Sequence, residues 1–247
     1  MYVTLINVIY FNNKNNIMKT KSLLLIIGVF VGTVLSFTAC QEPESSASVD
    51  QDRIFTIYEL FYNQNTDITK ARATFRFGNV LGTPLFLATG SEVTCDGQLM
   101  SKILDGITIY EFEFVGKKDS ATFKWVDTEA KEFFNKISMT EIAYVDSIVE
   151  IPNDAAFDFP WNGDVLAAGE SVSLWINAVG NASQLFRTEK DGVQSIVLSK
   201  LQLEKLPEGS ATLLMDRKHE IDLQEATGAG GTIFSTYRPT NKVVEIL

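Results

Sequence analysis

From Ile54 to the C-terminus, apolar residues recur at every second position in short runs, broken by Gly, Pro, Asn and Asp every eight to twelve residues. A period of two sends successive side chains to opposite faces of an extended chain, so such runs build half-buried strands. Ala71, Ala73, Phe75 and Phe77 alternate with Arg72, Thr74 and Arg76, giving one apolar and one basic face. In residues 109–126, Tyr110, Phe112 and Phe114 alternate with Glu111 and Glu113. After Gly116-Lys117-Lys118-Asp119-Ser120, a second run sets Ala121, Phe123 and Trp125 against Thr122 and Lys124. The pattern predicts a β-hairpin with its aromatic residues in the core and Glu111, Glu113 and Lys124 paired across the outer face. Val172, Leu174 and Ile176 alternate with Ser171, Ser173 and Trp175. Residues 185–203 break at Lys190-Asp191-Gly192, a second hairpin signal. Pro207-Glu208-Gly209 and Gly228-Ala229-Gly230-Gly231 mark turns before further strands, the last of which ends the chain. Residues 128–137 crowd good helix formers together and read equally as a short helix or as strand, turn and strand.

Turn signals divide the body into roughly seven strands before residue 138 and roughly seven after residue 140, each set close to the size of a seven-stranded sandwich. The expected fold is all-β, two tandem immunoglobulin-like antiparallel β-sandwiches over residues 54–138 and 139–247. A single long sandwich or barrel spanning both halves is the other layout that the length allows.

The 247 residues are 45% hydrophobic and 21% charged, a balance that disfavours both wholesale disorder and a polytopic membrane protein. Residues 1–39 hold three lysines and no acid, which leaves 18 basic against 31 acidic residues from Cys40 onward, a charge of −13. An acidic surface of this kind repels phosphate backbones and anionic headgroups, and argues against a nucleic-acid partner and against electrostatic membrane binding. The only cysteines are Cys40 and Cys95, so no disulfide framework stabilises the fold.

Lys19 and Lys21 precede an uncharged run of residues 23–37 (LLLIIGVFVGTVLSF), the length of a signal-peptide apolar region and short for a membrane span. Phe37-Thr38-Ala39-Cys40 then resembles the lipobox of bacterial lipoproteins, with Phe37 standing where Leu, Val or Ile is commoner. The resemblance implies that residues 1–39 are a cleaved signal peptide and that Cys40 carries lipid, diacylglycerol on the thiol with a further acyl chain such as palmitate on the new amine. Met18, directly before the basic residues, reads as the translational start. Residues 40–53 contain four acids before Arg53 and almost no apolar side chain, and read as a lipidated acidic tether of roughly 20 Å reach. Gln41-Glu42 with the nearby acids resembles the export signal that sends lipoproteins of Bacteroidetes-type bacteria to the outer face of the outer membrane. The hairpin arrangement, with Lys124-Trp125-Val126-Asp127 and Gly230-Gly231-Thr232-Ile233, looks like the tandem Ig-like lipoproteins of the same bacteria.

The body offers few candidates for chemistry. His219 is the only histidine and lies in Asp216-Arg217-Lys218-His219-Glu220, which reads as a solvated turn. No Gly-x-Ser-x-Gly elbow is present to hold a nucleophilic serine. Cys95, beside Asp96-Gly97, reads as a small packed side chain. With neither Cys-x-x-Cys nor paired histidines, zinc is not expected, no cofactor motif is present, and the one alternative metal is Ca²⁺ on the carboxylates of Asp154, Asp158 and Asp164, a set without the closing glutamate of an EF-hand. The most site-like stretch is 153–164, read as a loop, where Asp154, Asp158 and Asp164 gather near Trp161. The spacing matches no EF-hand, and paired carboxylates there would suit glycoside hydrolysis only across a cleft. Among the tryptophans, Trp125 falls on a core face, whereas Trp161 and Trp175 are the candidates for a ligand surface.

These features lead to the expectation of a membrane-anchored envelope lipoprotein of the outer membrane, on its surface or periplasmic face, acting as a non-catalytic binding or structural module. Its partners would be the membrane, through lipid, and a protein or glycan. A glycan-binding or carbohydrate-active lipoprotein and an accessory subunit of an envelope complex are the alternatives.

Overall fold

The computed structural model describes residues 42–104 and 106–247. Met18, the apolar run 23–37 and Cys40 lie outside the described residues. In the N-terminal half the strands are β1 (Glu44–Ser45), β2 (Ile54–Asn63), β3 (Ile68–Phe77), β4 (Pro84–Phe86), β5 (Glu92–Cys95), β6 (Gln98–Leu99), β7 (Ser101–Lys102), β8 (Ile109–Val115), β9 (Ser120–Val126) and β10 (Glu132–Ser138). The C-terminal half adds β11 (Ala143–Tyr144), β12 (Glu150–Ile151), β13 (Phe157–Asn162), β14 (Glu170–Ala178), β15 (Ser183–Thr188), β16 (Ser195–Leu198), β17 (Gly209–Asp222), β18 (Gly231–Arg238) and β19 (Lys242–Ile246). Among the described residues, one α-helical turn, Lys200–Leu203, interrupts the strands. The all-β, sandwich-like class expected from the period of two is what the chain adopts.

The alternation translates directly into burial. On β2, Ile54, Tyr58 and Leu60 are fully buried, while Phe55, Ile57, Glu59 and Phe61 lie on the other, half-exposed face. On β3, Ala71, Ala73 and Phe75 point inward. The outward Arg72 donates from Nε to Glu111 Oε2 at 2.6 Å and lies 3.3 Å from Glu59, and Lys70 reaches Glu111 and Glu113. These charges form a ladder across β2, β3 and β8. Burial opposes ionisation of Glu111, but Arg72 and Lys70 outweigh it and hold the carboxyl below its ordinary value. Half-exposed pairs of this kind contribute up to about 1 kcal/mol each.

Two expected hairpins are absent. β8 pairs with β3 and β7, whereas β9 pairs with β5 and β10 in another sheet, so residues 116–119 arch from one layer of the sandwich to the other. Glu111 and Glu113 therefore meet Lys70 and Arg72, and Lys124 meets Glu132 at 2.6 Å instead. The connection at Asp191-Gly192 is also an arch: β15 pairs with β14 and β16 with β13. An arch and a hairpin both send the apolar faces of two successive strands into one core, so alternation alone does not separate them. Residues 128–137 resolve as turn and strand. Asp127 accepts through Oδ1 from the amides of Glu129 and Lys131, closing a tight turn with Ala130 at φ 62°. β10 then pairs with β9 along its whole length and buries Phe133, Asn135 and Ile137.

A single large sheet runs through both halves in the order β1-β4-β3-β2-β18-β17-β14-β15, with β8 and β7 beside β3 and with β19 and β12 beside β17. The join is parallel. β18 lies along β2 from Gly231 opposite Thr56 to Arg238 opposite Asn63. β17, fourteen residues long, pairs with β19 through its first half and β18 through its second, while β14 borders its other edge. Two smaller sheets, β10-β9-β5-β6 and β11-β13-β16, cover separate stretches of the large sheet and enclose two cores. Phe75, Phe123 and Trp125 centre the first core, with Trp125 stacked on Phe133 at 4.9 Å. Phe159, Trp161, Leu174 and Leu213 centre the second. β18 supplies Ile233 to the first core and Tyr237 to the second, and Tyr62 of β2 also belongs to the second.

Within the first core, Tyr58 is stacked on Phe123, and its buried hydroxyl has no hydrogen-bond partner. Burial pushes its phenol far above the ordinary tyrosine value. An unpaired buried hydroxyl is a standing cost, so Tyr58→Phe should stabilise the protein by about 1 kcal/mol, read as a higher urea midpoint at unchanged m-value.

The segment after Cys40, expected as a flexible tether, is folded onto the body from Glu44 onward. β1 pairs in parallel with β4, and two 3-10 turns follow, Ser46–Ser48 and Gln51–Arg53. Ser46 is fully buried and accepts from the Ala88 amide, while Gln51 Nε2 donates to the carbonyls of Ser46 and Val49. Short polar side chains capping turns gave this segment the composition of a spacer.

Candidate functional site

The residues expected to gather in one loop are dispersed. Residues 157–162 form β13, not a loop, and Asp154, Asp158 and Asp164 are all exposed. Asp158 stands in register with Val197 of β16, while Asp164 offers only its backbone carbonyl to neighbouring groups. Among the described residues, no three His, Cys, Asp or Glu side chains come together in a way that suits a metal ion. Trp161 is a core residue and no ligand platform: it is 2% exposed, and its indole N–H donates to the Asp164 carbonyl at 3.2 Å. Its place on the inward face of β13 between Ala143–Tyr144 and Ser195–Leu198 explains the burial. Cys95 is buried in the first core, and burial pushes its thiol up to about 12, far from a nucleophile's range.

The charged run 216–220 is not a turn either. It occupies the middle of β17, and its parity continues the inward series Ala211, Leu213, Met215 to Arg217. Arg217 is buried against Glu170, with side-chain exposures of 1% and 4% and a contact of 2.5 Å. Its guanidinium also donates to the carbonyls of Asp164 (2.8 Å) and Val165 (3.0 Å), while Glu170 accepts from the Ala167 amide. Burial works against the Glu170 carboxylate, but the hydrogen bonds from Arg217 and Ala167 outweigh it and keep its pKa below the ordinary value. Every polar arm of the pair is engaged, so the pair clamps the 164–170 connection onto β14 and β17. Sequence reasoning missed it, although counting parity along β17 would have flagged an arginine on the inward face.

Of the candidate residues, Trp175 alone presents its ring to solvent. It is 41% exposed in the middle of β14, on the outer face of the large sheet. The register sets Leu185 of β15 and Leu214 of β17 on either side of it, giving an apolar row across three strands. Further along β14 on the same face come Ser173, opposite Arg187 and Asp216, and then Ser171, opposite Lys218. There the surface opens into a cavity of about 420 Å³ lined by Ser171, Arg187, Glu189, Lys218 and Glu220. Arg187 pairs with Glu189 and Lys218 with Glu220, and the hydrogen bond from Lys218 holds the Glu220 carboxyl below its usual range. At a rise of about 3.3 Å per residue, Ser171 lies roughly 13 Å from Trp175 along the strand. The floor of the cavity depends on Gly169, whose φ is +79° and where a Cβ would stand 2.6 Å from the Glu220 carbonyl oxygen. The site is therefore a flat aromatic-aliphatic row continuing into a polar hollow, with no nucleophile-base pair among these residues.

No protein-family description and no curated protein matches the chain. Solved structures with some likeness include the FN1–FN3 domains of chicken CNTN1, at 7% identity over 76% of this chain and 63% of that one, with a TM-score of 0.26. A Bacteroides ovatus mixed-linkage glucan utilization locus protein, SGBP-B, in complex with a mixed-linkage heptasaccharide, is 11% identical over 85% of this chain and 66% of that one, with a TM-score of 0.24. A 1.5-MDa bacterial ice-binding adhesin is 12% identical over 75% and 64%, with a TM-score of 0.22. Similarity at this level carries neither fold nor function, which rest on the strands and side chains described above.

Proposed function

We propose that the chain is a lipid-anchored module of the outer membrane that binds a ligand without transforming it, through the outer face of β14, β15 and β17. The observation that carries this reading is the exposed Trp175 ring between Leu185 and Leu214, next to a polar hollow. A half-exposed ring flanked by two aliphatic side chains, on the strand next to the β15 edge of the sheet, forms a contiguous apolar patch of the kind that marks a binding surface. The row is flat and apolar, and its surroundings at Ser173, Arg187 and Lys218 offer donors and acceptors. This suits a ligand with an apolar face and hydroxyl-bearing edges, as a sugar ring has, and the dispersal of Asp154, Asp158 and Asp164 supports capture rather than hydrolysis. Cys40 as the acylated residue and the halves 54–138 and 139–247 as successive sandwich units belong to the same reading.

Screening the full chain against an array of cell-wall and dietary glycans, with Trp175→Ala beside it, tests the proposal. Binding to a glycan class is expected and should be lost in Trp175→Ala, while unfolding stays cooperative and its free energy falls by no more than about 2 kcal/mol, the worth of two cross-strand contacts outside both cores. Equal binding by both proteins, or none by either, would sink it. For the anchor, labelled palmitate should enter the wild-type protein in a bacterial host and be absent from Cys40→Ala. Protease treatment of intact cells would report the face of the membrane.

A further inference from the structure

We infer that the end of the body where β1 begins rests on the lipid surface itself, through the exposed aliphatic residues Val80, Leu81, Ile103 and Leu104. The inference builds on the reading of Cys40 as the acylated residue and concerns where the folded body sits once acylated.

Chain length limits how far the body can stand from the acylated residue. Since β1 starts at Glu44 and Ser46 is locked into the body, only Gln41, Glu42 and Pro43 separate Cys40 from folded structure. The four residue steps from Cys40 to Glu44 span at most about 14 Å when fully extended. The body is therefore held within that distance of the acylated residue, and the rim around Pro43 is the part held nearest to the membrane.

That rim carries exposed aliphatic side chains. β1 runs parallel to β4 with Glu44 opposite Leu85, so Pro43 is level with Pro84, and residues 78–83 turn from β3 into β4 at the same end. Val80 and Leu81 project from that turn at 51% and 84% exposure. The connection between β7 and β8 reaches the same corner, where Pro43, Phe86, Lys102, Ile107 and Thr108 line a hollow of about 250 Å³. Ile103 and Leu104, beside it, are 41% and 62% exposed. Four aliphatic side chains on connections at this end belong to neither core. Against hydrocarbon, each loses contact with water on the side that the body leaves bare. The acidity of the chain makes this contact apolar in nature and leaves no role for anionic lipid.

Spin labels test the inference on the full acylated chain in phosphatidylcholine vesicles. Leu81→Cys, Leu104→Cys and Val115→Cys would be labelled singly, since the acylated Cys40 is blocked and Cys95 is buried. Val115, 93% exposed at the opposite end of β8, is the reference. Labels at 81 and 104 should lose collisions with a water-soluble nickel chelate and gain collisions with oxygen, relative to 115. Both should regain full access to nickel in the same variants carrying Cys40→Ala. If protein that floats with the vesicles shows equal nickel access at all three sites, the body stands off the membrane and the inference fails while the anchor holds. If wild type and Cys40→Ala float alike, the acylation reading fails and takes the inference with it.

Discussion

Replacing Arg217 with alanine is expected to lower the free energy of unfolding by about 3–5 kcal/mol, the range found when one partner of a buried ion pair is removed. The cost arises because Glu170, 4% exposed, keeps its charge with its main donor gone, and because the carbonyls of Asp164 and Val165 lose the guanidinium. Urea unfolding followed by tryptophan fluorescence would measure it, and a loss below about 1 kcal/mol, the scale of an exposed pair, would show that water enters the clamp. The double variant Arg217→Met with Glu170→Leu should recover most of the loss, since an apolar pair of similar volume needs no desolvation of charge.

The same pair sets a pH dependence. Glu170 holds its proton less tightly in the folded protein than in the unfolded chain, so the unfolded state binds more protons in acid. Its stabilising contribution is complete above the unfolded value, about 4.3, and is lost as pH falls through the lower folded value. Glu111 and Glu220 shift in the same direction, each held by lysine or arginine across the outer face. Stability should therefore fall in acid, and Glu170→Gln should flatten part of that fall. An equal slope in the variant would remove Glu170 from the account.

A chain ended at Glu141, containing all ten strands of the first half, is expected not to fold cooperatively. Without β18, the edge of β2 from Thr56 to Asn63 is left open, and the first core loses Ile233 together with the packing of Ile221 and Leu223. Asn135, 1% exposed, would lose both hydrogen bonds to the Glu225 backbone, and the Ile54 carbonyl would lose Thr227. Several buried polar groups and a long unpaired edge exceed the margin of a domain this small. Near-UV circular dichroism and thermal melting of the fragment against the whole chain give the measurement. A sharp melt with native-like aromatic signals would show that the first core is sufficient by itself.

These two expectations concern features that local pattern did not reveal, for related reasons. Arg217 is charged, and its neighbours Asp216, Lys218 and Glu220 are charged too, so composition suggested a solvated turn although position parity placed it inside. Trp161 stands among Asp158, Asn162 and Asp164, which reads as an exposed loop, yet β13 is paired along both edges and its inward face packs into the second core with Leu174 and Leu213. Trp175 is the converse. Its three serine or tryptophan positions opposite Val172, Leu174 and Ile176 marked an outward face in the sequence, and the ring is indeed half in water.

The sequence by itself determined the strands and which face of most of them enters a core, because a period of two is a local property that the pleat turns directly into burial. The residues inside β3, β9 and β14 were legible on that basis. Only the tertiary structure decided which strand lies beside which. A hairpin and an arch have the same alternation, and a parallel partner such as β18, some 170 residues from β2, leaves no mark in either strand. Pairing is fixed by contacts between distant segments, and so are the clamp between Glu170 and Arg217 and the folding of residues 44–53 onto the body.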